Sequence, residues 1–289
     1  MRFLLLFSLF MAFSLTLAAQ QKPAYRLFDQ GGKKLSYRKA MKSLQDSDVV
    51  LFGELHNNPI AHWLELEMLR DLAAGDRPVA VGAEMLETDQ EALLQEYMSG
   101  IISRDSFEQQ LRAWPNYKTD YRPVVEFCLE RKIPLTATNV SRKYARLVFR
   151  NGLASLDSLP EEEKAWLAPL PFEIDYSLPS YKAMTEMGGG HGTMPNPENF
   201  VAAQALKDAT MADRILRNFP GGGIFFHLNG SYHSDQKEGI AWYVKRNRPD
   251  LRICNLSVVE QSSLSALDPD SFGKADVIIV VPESMTKTY

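Results

Sequence analysis

Cysteine is nearly absent: the 289 residues hold two, Cys128 and Cys254. At most one disulfide is therefore available, which excludes a small scaffold stapled by several bridges. Both cysteines lie in apolar settings ("VVEFCLE", "RICNLS"), the surroundings of buried, unpaired thiols. An excess of charge of one sign is missing too. The chain carries 32 Lys and Arg against 36 Asp and Glu, a net charge of −4, so nothing calls for a nucleic-acid backbone as partner. There is no Gly-x-Ser-x-Gly nucleophile elbow and no Gly-x-x-x-x-Gly-Lys phosphate loop. The glycine runs at 188–190 and 221–223 stand alone and mark flexibility or tight turns. No internal repeat is visible. An apolar fraction of 45% with 24% charged residues is ordinary for a soluble globular protein.

One long apolar run does occur, at the start. "MRFLLLFSLFMAFSLTLAAQQ" has a single Arg, an apolar stretch from Phe3 to about Leu15, and small residues at Ala18 and Ala19. That is the layout of a secretory signal peptide over residues 1–19, cleaved near Ala18 to Gln20. A membrane anchor would need roughly 20 apolar residues with polar flanks on both sides. No cysteine stands at the junction to carry a lipid. The expectation is an exported protein of the periplasm or cell envelope, with no transmembrane segment once the leader is removed. Residues 20–289 then suit one large α/β domain.

Along that remainder, strand-like runs alternate with amphipathic helices, the pattern of a mostly parallel sheet with helices on both faces. "DVVLF" reads as the first strand. Asn58 caps a helix with Pro59 in its first turn, and Ile60, Leu64, Met68 and Leu72 form its apolar stripe. "PVAVGAEM" is the second strand, followed by Thr88 and Glu91 as a capping box. "IPLTATN" is the third strand, with Ser141 capping the next helix. "GGGIFFHLNGSYH", "LRICNLSVVE" and "ADVIIVVP" supply the rest. Between about 168 and 196 the pattern dissolves into a stretch rich in Gly, Pro, Met and Tyr, too long for a simple connector. It reads as a lid-like insert. Asn196 and Pro197 then open a long helix.

In an open parallel sheet, ligands bind beyond the carboxyl ends of the strands. The first strand ends in Gly53-Glu54-Leu55-His56, the second in Gly82-Ala83-Glu84, the third at Asn139 and the fourth in Asn229-Gly230-Ser231-Tyr232-His233. Two carboxylates and two imidazoles are thus delivered to one edge. Glu54, His56, Glu84 and His233 are the candidate site, since such groups are costly to bury unless each finds a partner. His227 reads as a strand residue satisfied by a neighbour, and His62 as a surface or packing residue. His191, in "GGGHG", is either a mobile ligand or a loop residue. On the long helix, Gln204, Asp208, Met211 and Ile215 share a face; Asp208 either supports the pocket or faces solvent.

With those residues in view, "FGELHNNP", "GAEML", "ATNV", "FVAAQALKDATMADRI" and "NGSYH" resemble the ChaN branch of the Tiki/TraB/erythromycin-esterase-like superfamily. The resemblance implies an exported protein that binds haem and takes part in iron uptake, with either a homodimer around a haem pair or a cell-envelope uptake system as partner. It carries the superfamily's site onto Glu54, His56, Glu84 and His233, and a tyrosine iron ligand onto Tyr121, with Tyr117 as the substitute. It also leaves a second function open, because other members are similar to metal-dependent proteases and esterases.

For haem, ferric iron favours a phenolate from an exposed tyrosine near a base. Phe172, Tyr176, Tyr181, Met184, Met187 and Met194 offer an apolar wall, or plain core packing, and His191 and Met187 are further cofactor candidates. In the hydrolase alternative Glu54, His56, Glu84 and His233 hold zinc or manganese and activate water, or His56 acts as a base.

Overall fold

Buried apolar side chains alternate along the central strand, and that alternation explains the layered architecture. In β3 (Val49–Glu54), Val50 and Phe52 pack into one core while Val49 and Leu51 pack into another. A strand apolar on both faces must be covered on both faces. The computed structural model, which describes residues 22–189 and 196–289, has helices on each side of an eight-stranded sheet in the order β2-β1-β8-β7-β3-β6-β4-β5.

The remaining strands are β1 (Arg26–Asp29), β2 (Lys34–Leu35), β4 (Val79–Glu87), β5 (Leu135–Asn139), β6 (Ile224–Gly230), β7 (Ile253–Gln261) and β8 (Val277–Pro282). From β8 across to β5 the pairings are parallel, whereas β1 runs antiparallel to both β8 and β2. The expected α/β fold is therefore present. "DVVLF" is not its first strand, however: β1, β2 and helix α1 (Tyr37–Gln45) precede it. Strands of four and two residues are too short to display an alternating pattern, so they leave little trace in sequence.

Helix α2 (Pro59–Ala73) begins as expected: Asn58 Oδ1 accepts from the backbone N–H groups of Ile60 and Ala61 at 3.0 and 3.2 Å. The long helix α9 (Pro197–Arg217) is likewise capped by Asn196. Two expected caps are different. Ahead of α3 (Glu91–Met98), the Thr88 hydroxyl donates to the Trp166 carbonyl and the Glu91 carboxylate accepts from Ala137 N–H, each at 2.7 Å. Both residues serve tertiary contacts instead of a capping box. Ser141 stands at the start of α6 (Arg142–Asn151), but its hydroxyl donates to Glu87, whose other carboxylate oxygen accepts the Arg142 N–H at 3.2 Å. A carboxylate from a neighbouring strand end thus does the capping.

The other helices are α4 (Arg104–Gln110), α5 (Arg122–Arg131), α7 (Glu161–Lys164), α8 (Pro179–Gly189) and α10 (Ile240–Asn247). Helix α2 and residues of α5 pack on one face of the sheet; α9 and α10 pack on the other. Crossovers leave β3 toward β4 on one side and β6 toward β7 on the other, so the carboxyl ends of β3 and β6 form a topological switch point, the usual ligand crevice of such sheets. The insert after Ala168 folds onto this edge as α8, with Tyr181 and Met184 buried against Val201 and Ala205 of α9. His191, Met194 and the Met187 side chain lie outside the described residues. Among the described residues, no helix is long and apolar enough to cross a membrane. Cys128 and Cys254 are buried and unpaired.

Candidate functional site

Parallel pairing brings the strand ends level. Glu54 of β3 stands opposite Gly230 of β6, and Ala83 of β4 opposite Leu228. Glu54, His56, Glu84 and His233 therefore do meet at one edge. Strand parity then separates the two acids. Val50, Phe52 and Glu54 share one face, that of α2. In β4, Val79, Val81 and Ala83 face α2 while Ala80 faces the other core, so Glu84 leaves the sheet toward α9. The site is built as two pairs rather than one ligand shell.

The first pair is Glu54–His56. Glu54 is fully buried, and its Oε1 lies 2.7 Å from His56 Nδ1 and accepts from the Tyr121 hydroxyl at 2.7 Å. Burial pushes its carboxyl upward, but the hydrogen bond with His56 and the nearby His62 imidazole outweigh that and hold it well below the usual carboxylate range. The His56 side chain remains 38% exposed. Burial opposes its charge, yet the hydrogen bond to Glu54 and the nearby Glu84 carboxylate raise the imidazole above its ordinary value. The ring stands hard against Gly230: a Cβ there would lie 2.7 Å from His56 Cε1 and 2.8 Å from Nε2. Only glycine admits so close an approach.

The second pair is Glu84–His233, and both residues are buried. His233 Nε2 lies 3.2 Å from Glu84 Oε1, while Nδ1 is bonded to Asp208. Glu84 Oε2 accepts the Gly230 N–H at 2.7 Å. Burial works against the imidazolium, and the two carboxylates overcome it, raising His233 to about 9. The same ion pair draws Glu84 down to about 2 against its own burial. Asp208 is thus no solvent-facing residue: it is buried, and its second oxygen accepts from Tyr181 at 2.6 Å. Gln204 lies 3.0 Å from His233 Nδ1. Both ring nitrogens of His233 therefore face carboxylates.

Sequence reasoning misplaced two sets of residues. His62, expected at the surface or in packing, is buried between Glu54 and Glu65, and among the described residues Glu54, His62 and Glu65 are the acid and imidazole groups whose ligand atoms come within 4.8 Å of one another. Their signal was present as a His-x-x-Glu spacing on the buried side of α2. The tyrosines are the second correction. Tyr121 and Tyr117 are each only 3% exposed. Burial, then the Glu54 carboxylate, drives the Tyr121 phenol far above its ordinary value, and burial does the same for Tyr117. The base beside Tyr121 is as expected; the exposure is not. His227 behaves as read, with Thr138 Oγ1 2.8 Å from Nε2 and Asn229 Oδ1 3.0 Å from Nδ1, and burial lowers it to about 4.

Over this edge opens a cavity of about 620 Å³, within the usual range for small-molecule and cofactor sites. His56, Gly230 and His233 line its floor, Met184 and Phe200 give it an apolar wall, and Lys274 and Tyr232 complete it. Tyr176, by contrast, is half exposed and Phe172 packs into the core beside α10, so neither forms part of this wall. Tyr232 is 77% exposed, an unusual place for a large aromatic ring.

A haem-binding uptake family of the Tiki superfamily, ChaN, matches residues 40–244. The chain belongs to that family. No curated protein sequence matches it. Among solved structures, a ChaN of Campylobacter jejuni described by its cofacial haem binding superposes with a TM-score of 0.66 at 19% identity, covering 89% of this chain and 96% of that one. A succinoglycan biosynthesis protein superposes with a TM-score of 0.50 at 10% identity, covering 85% of this chain and 90% of that one. At these identities the two likenesses establish the fold.

Proposed function

We propose that this ChaN-family chain is an exported haem-binding protein of iron uptake and that the cavity above Glu54, His56, Glu84 and His233 receives the porphyrin. The observation that carries the reading is the chemistry of the cavity wall. An exposed phenol, Tyr232, lines the same cavity as apolar Met184 and Phe200 and as Lys274 and His56. A porphyrin asks for an apolar slot, its ferric iron for a hard oxygen ligand, and its propionates for cations. Tyr232 is the proposed iron ligand in place of Tyr121, whose hydroxyl is committed to Glu54. His56, raised toward its charged form, and Lys274 suit the propionates. A second copy facing the first across two haems belongs to the same reading, since Tyr232 stands so far into solvent.

Hydrolysis is the second reading, favoured by the Glu54–His56 pair, which holds a histidine by Nδ1 in the manner of a general base. The raised imidazole counts against it, because the shift leaves a smaller share of free base to take a proton from water. The separating experiment is a hemin titration of the full chain and of Ala183→Trp, which fills the cavity from α8. Saturable binding in the first, weakened at least about tenfold in the second, supports the haem reading. Equal binding, or none in either, removes the cavity from it.

A further inference from the structure

Below the cavity floor, on the α2 side of the sheet, lies a second group that shares Glu54 with the cavity. From the geometry of Glu54, His62 and Glu65 we infer a buried binding site for one divalent cation of the zinc or manganese class. The tautomer of His62 is the first ground. Its Nε2 lies 3.1 Å from the backbone carbonyl of His56 and 3.4 Å from Asp120 Oδ2. Both oxygens accept, so Nε2 carries the ring proton. That leaves Nδ1 facing Glu54 Oε2 at 3.3 Å and Glu65 Oε2 at 3.2 Å. Three electron-rich atoms aimed at one point need positive charge between them, supplied by a proton or by a metal ion.

The spacing admits the ion. Ligand atoms at the corners of a tetrahedron with bonds of about 2.0–2.1 Å stand about 3.3–3.4 Å apart, close to the two separations found here. Glu54 Oε2, one of the three atoms, is buried with no hydrogen-bond partner, an expensive state for a carboxylate oxygen unless a cation takes it up. The surroundings are arranged as they are around metal-bound groups: the His56 carbonyl fixes the ring through its far nitrogen, and the Tyr121 hydroxyl holds the other oxygen of Glu54 at 2.7 Å. One imidazole with two carboxylates suits zinc or manganese rather than a softer ion. The site joins α2 to the end of β3.

The test uses the full chain stripped with chelator, titrated with zinc and then manganese by calorimetry, with elemental analysis after desalting. One equivalent is expected in the wild type and in Glu84→Gln, and a loss of at least about 100-fold in Glu65→Gln, folding being checked by circular dichroism. Should Glu65→Gln not fold, His62→Gln carries the same expectation. Zinc should also raise the Tm of the wild type and leave that of the ligand variant unmoved. The inference is overturned if the wild type takes up neither metal stoichiometrically. It is equally overturned if a folded ligand variant binds as tightly as wild type, or if Glu84→Gln is the change that abolishes binding.

Discussion

Replacing Glu84 by Gln removes one of the two carboxylates that hold His233 charged, and the size of the effect follows from both partners. His233 stands at about 9 against an ordinary 6.5, and Glu84 at about 2 against 4.5. The differences, 9 − 6.5 and 4.5 − 2, agree at 2.5 units, which corresponds to about 3 kcal/mol. Each is net of burial and includes other partners, Asp208 for His233 and His56 with the Gly230 N–H for Glu84, so the two are not added and the pair itself is taken as only part of that figure. Because the folded-state value of His233 is raised, its contribution is fully present below pH 6.5 and is lost as pH climbs through about 9. Asp208 stays in place in the variant, so Glu84→Gln should cost roughly 2 kcal/mol at pH 6 and flatten the decline toward pH 9.5. Urea denaturation at pH 6, 7.5 and 9.5 measures both quantities in one series. A variant as stable as wild type at pH 6, or one that loses as much stability across the alkaline range, would refute the ion-pair reasoning.

Other perturbations bear on other parts of the site. Tyr121→Phe takes a hydrogen bond from the buried Glu54 and should lower stability by about 1–2 kcal/mol while leaving hemin binding intact, as chemical denaturation and absorption titration would reveal. Gly230→Ala places a methyl group within 2.8 Å of His56 Nε2, so the ring must move away from Glu84; its imidazole should titrate closer to 6.5 by proton NMR, and hemin affinity should fall. Burial raises the thiols of Cys128 and Cys254 to about 12, so a thiol reagent at pH 8 should label neither in the folded chain and both in urea.

How much of this was legible beforehand depended on the kind of signal. Apolar runs ending in Gly53, Gly82 and Gly230 marked the strand ends, and the parallel arrangement placed their polar residues together. That those residues form two pairs on opposite faces is also legible, through the two-residue period that sends Glu54 with Phe52 and Glu84 with Gly82. Burial was harder. His62 and Glu65 lie on α2 among Ala61, Leu64 and Met68, where helical spacing alone does not distinguish a polar residue at the edge of an apolar stripe from one inside it. Asp208 on α9 posed the same problem, resolved only by knowing that His233 and Tyr181 approach it. Tyr121 was misjudged for a related reason: a π-helical turn over Tyr117–Tyr121 rotates both rings inward, and no composition cue announces such a turn. Tyr232, quoted within its strand end but given no role, became a candidate only once its exposure at the cavity was known.

The account stands most directly on one spectroscopic comparison, hemin bound to the wild-type chain against Tyr232→Phe and Tyr121→Phe. A high-spin tyrosinate-type absorption spectrum that survives Tyr121→Phe and disappears in Tyr232→Phe is the predicted result. The same spectrum persisting in Tyr232→Phe and vanishing in Tyr121→Phe would contradict it, because the iron would then be bound by a ring that the fold has buried against Glu54.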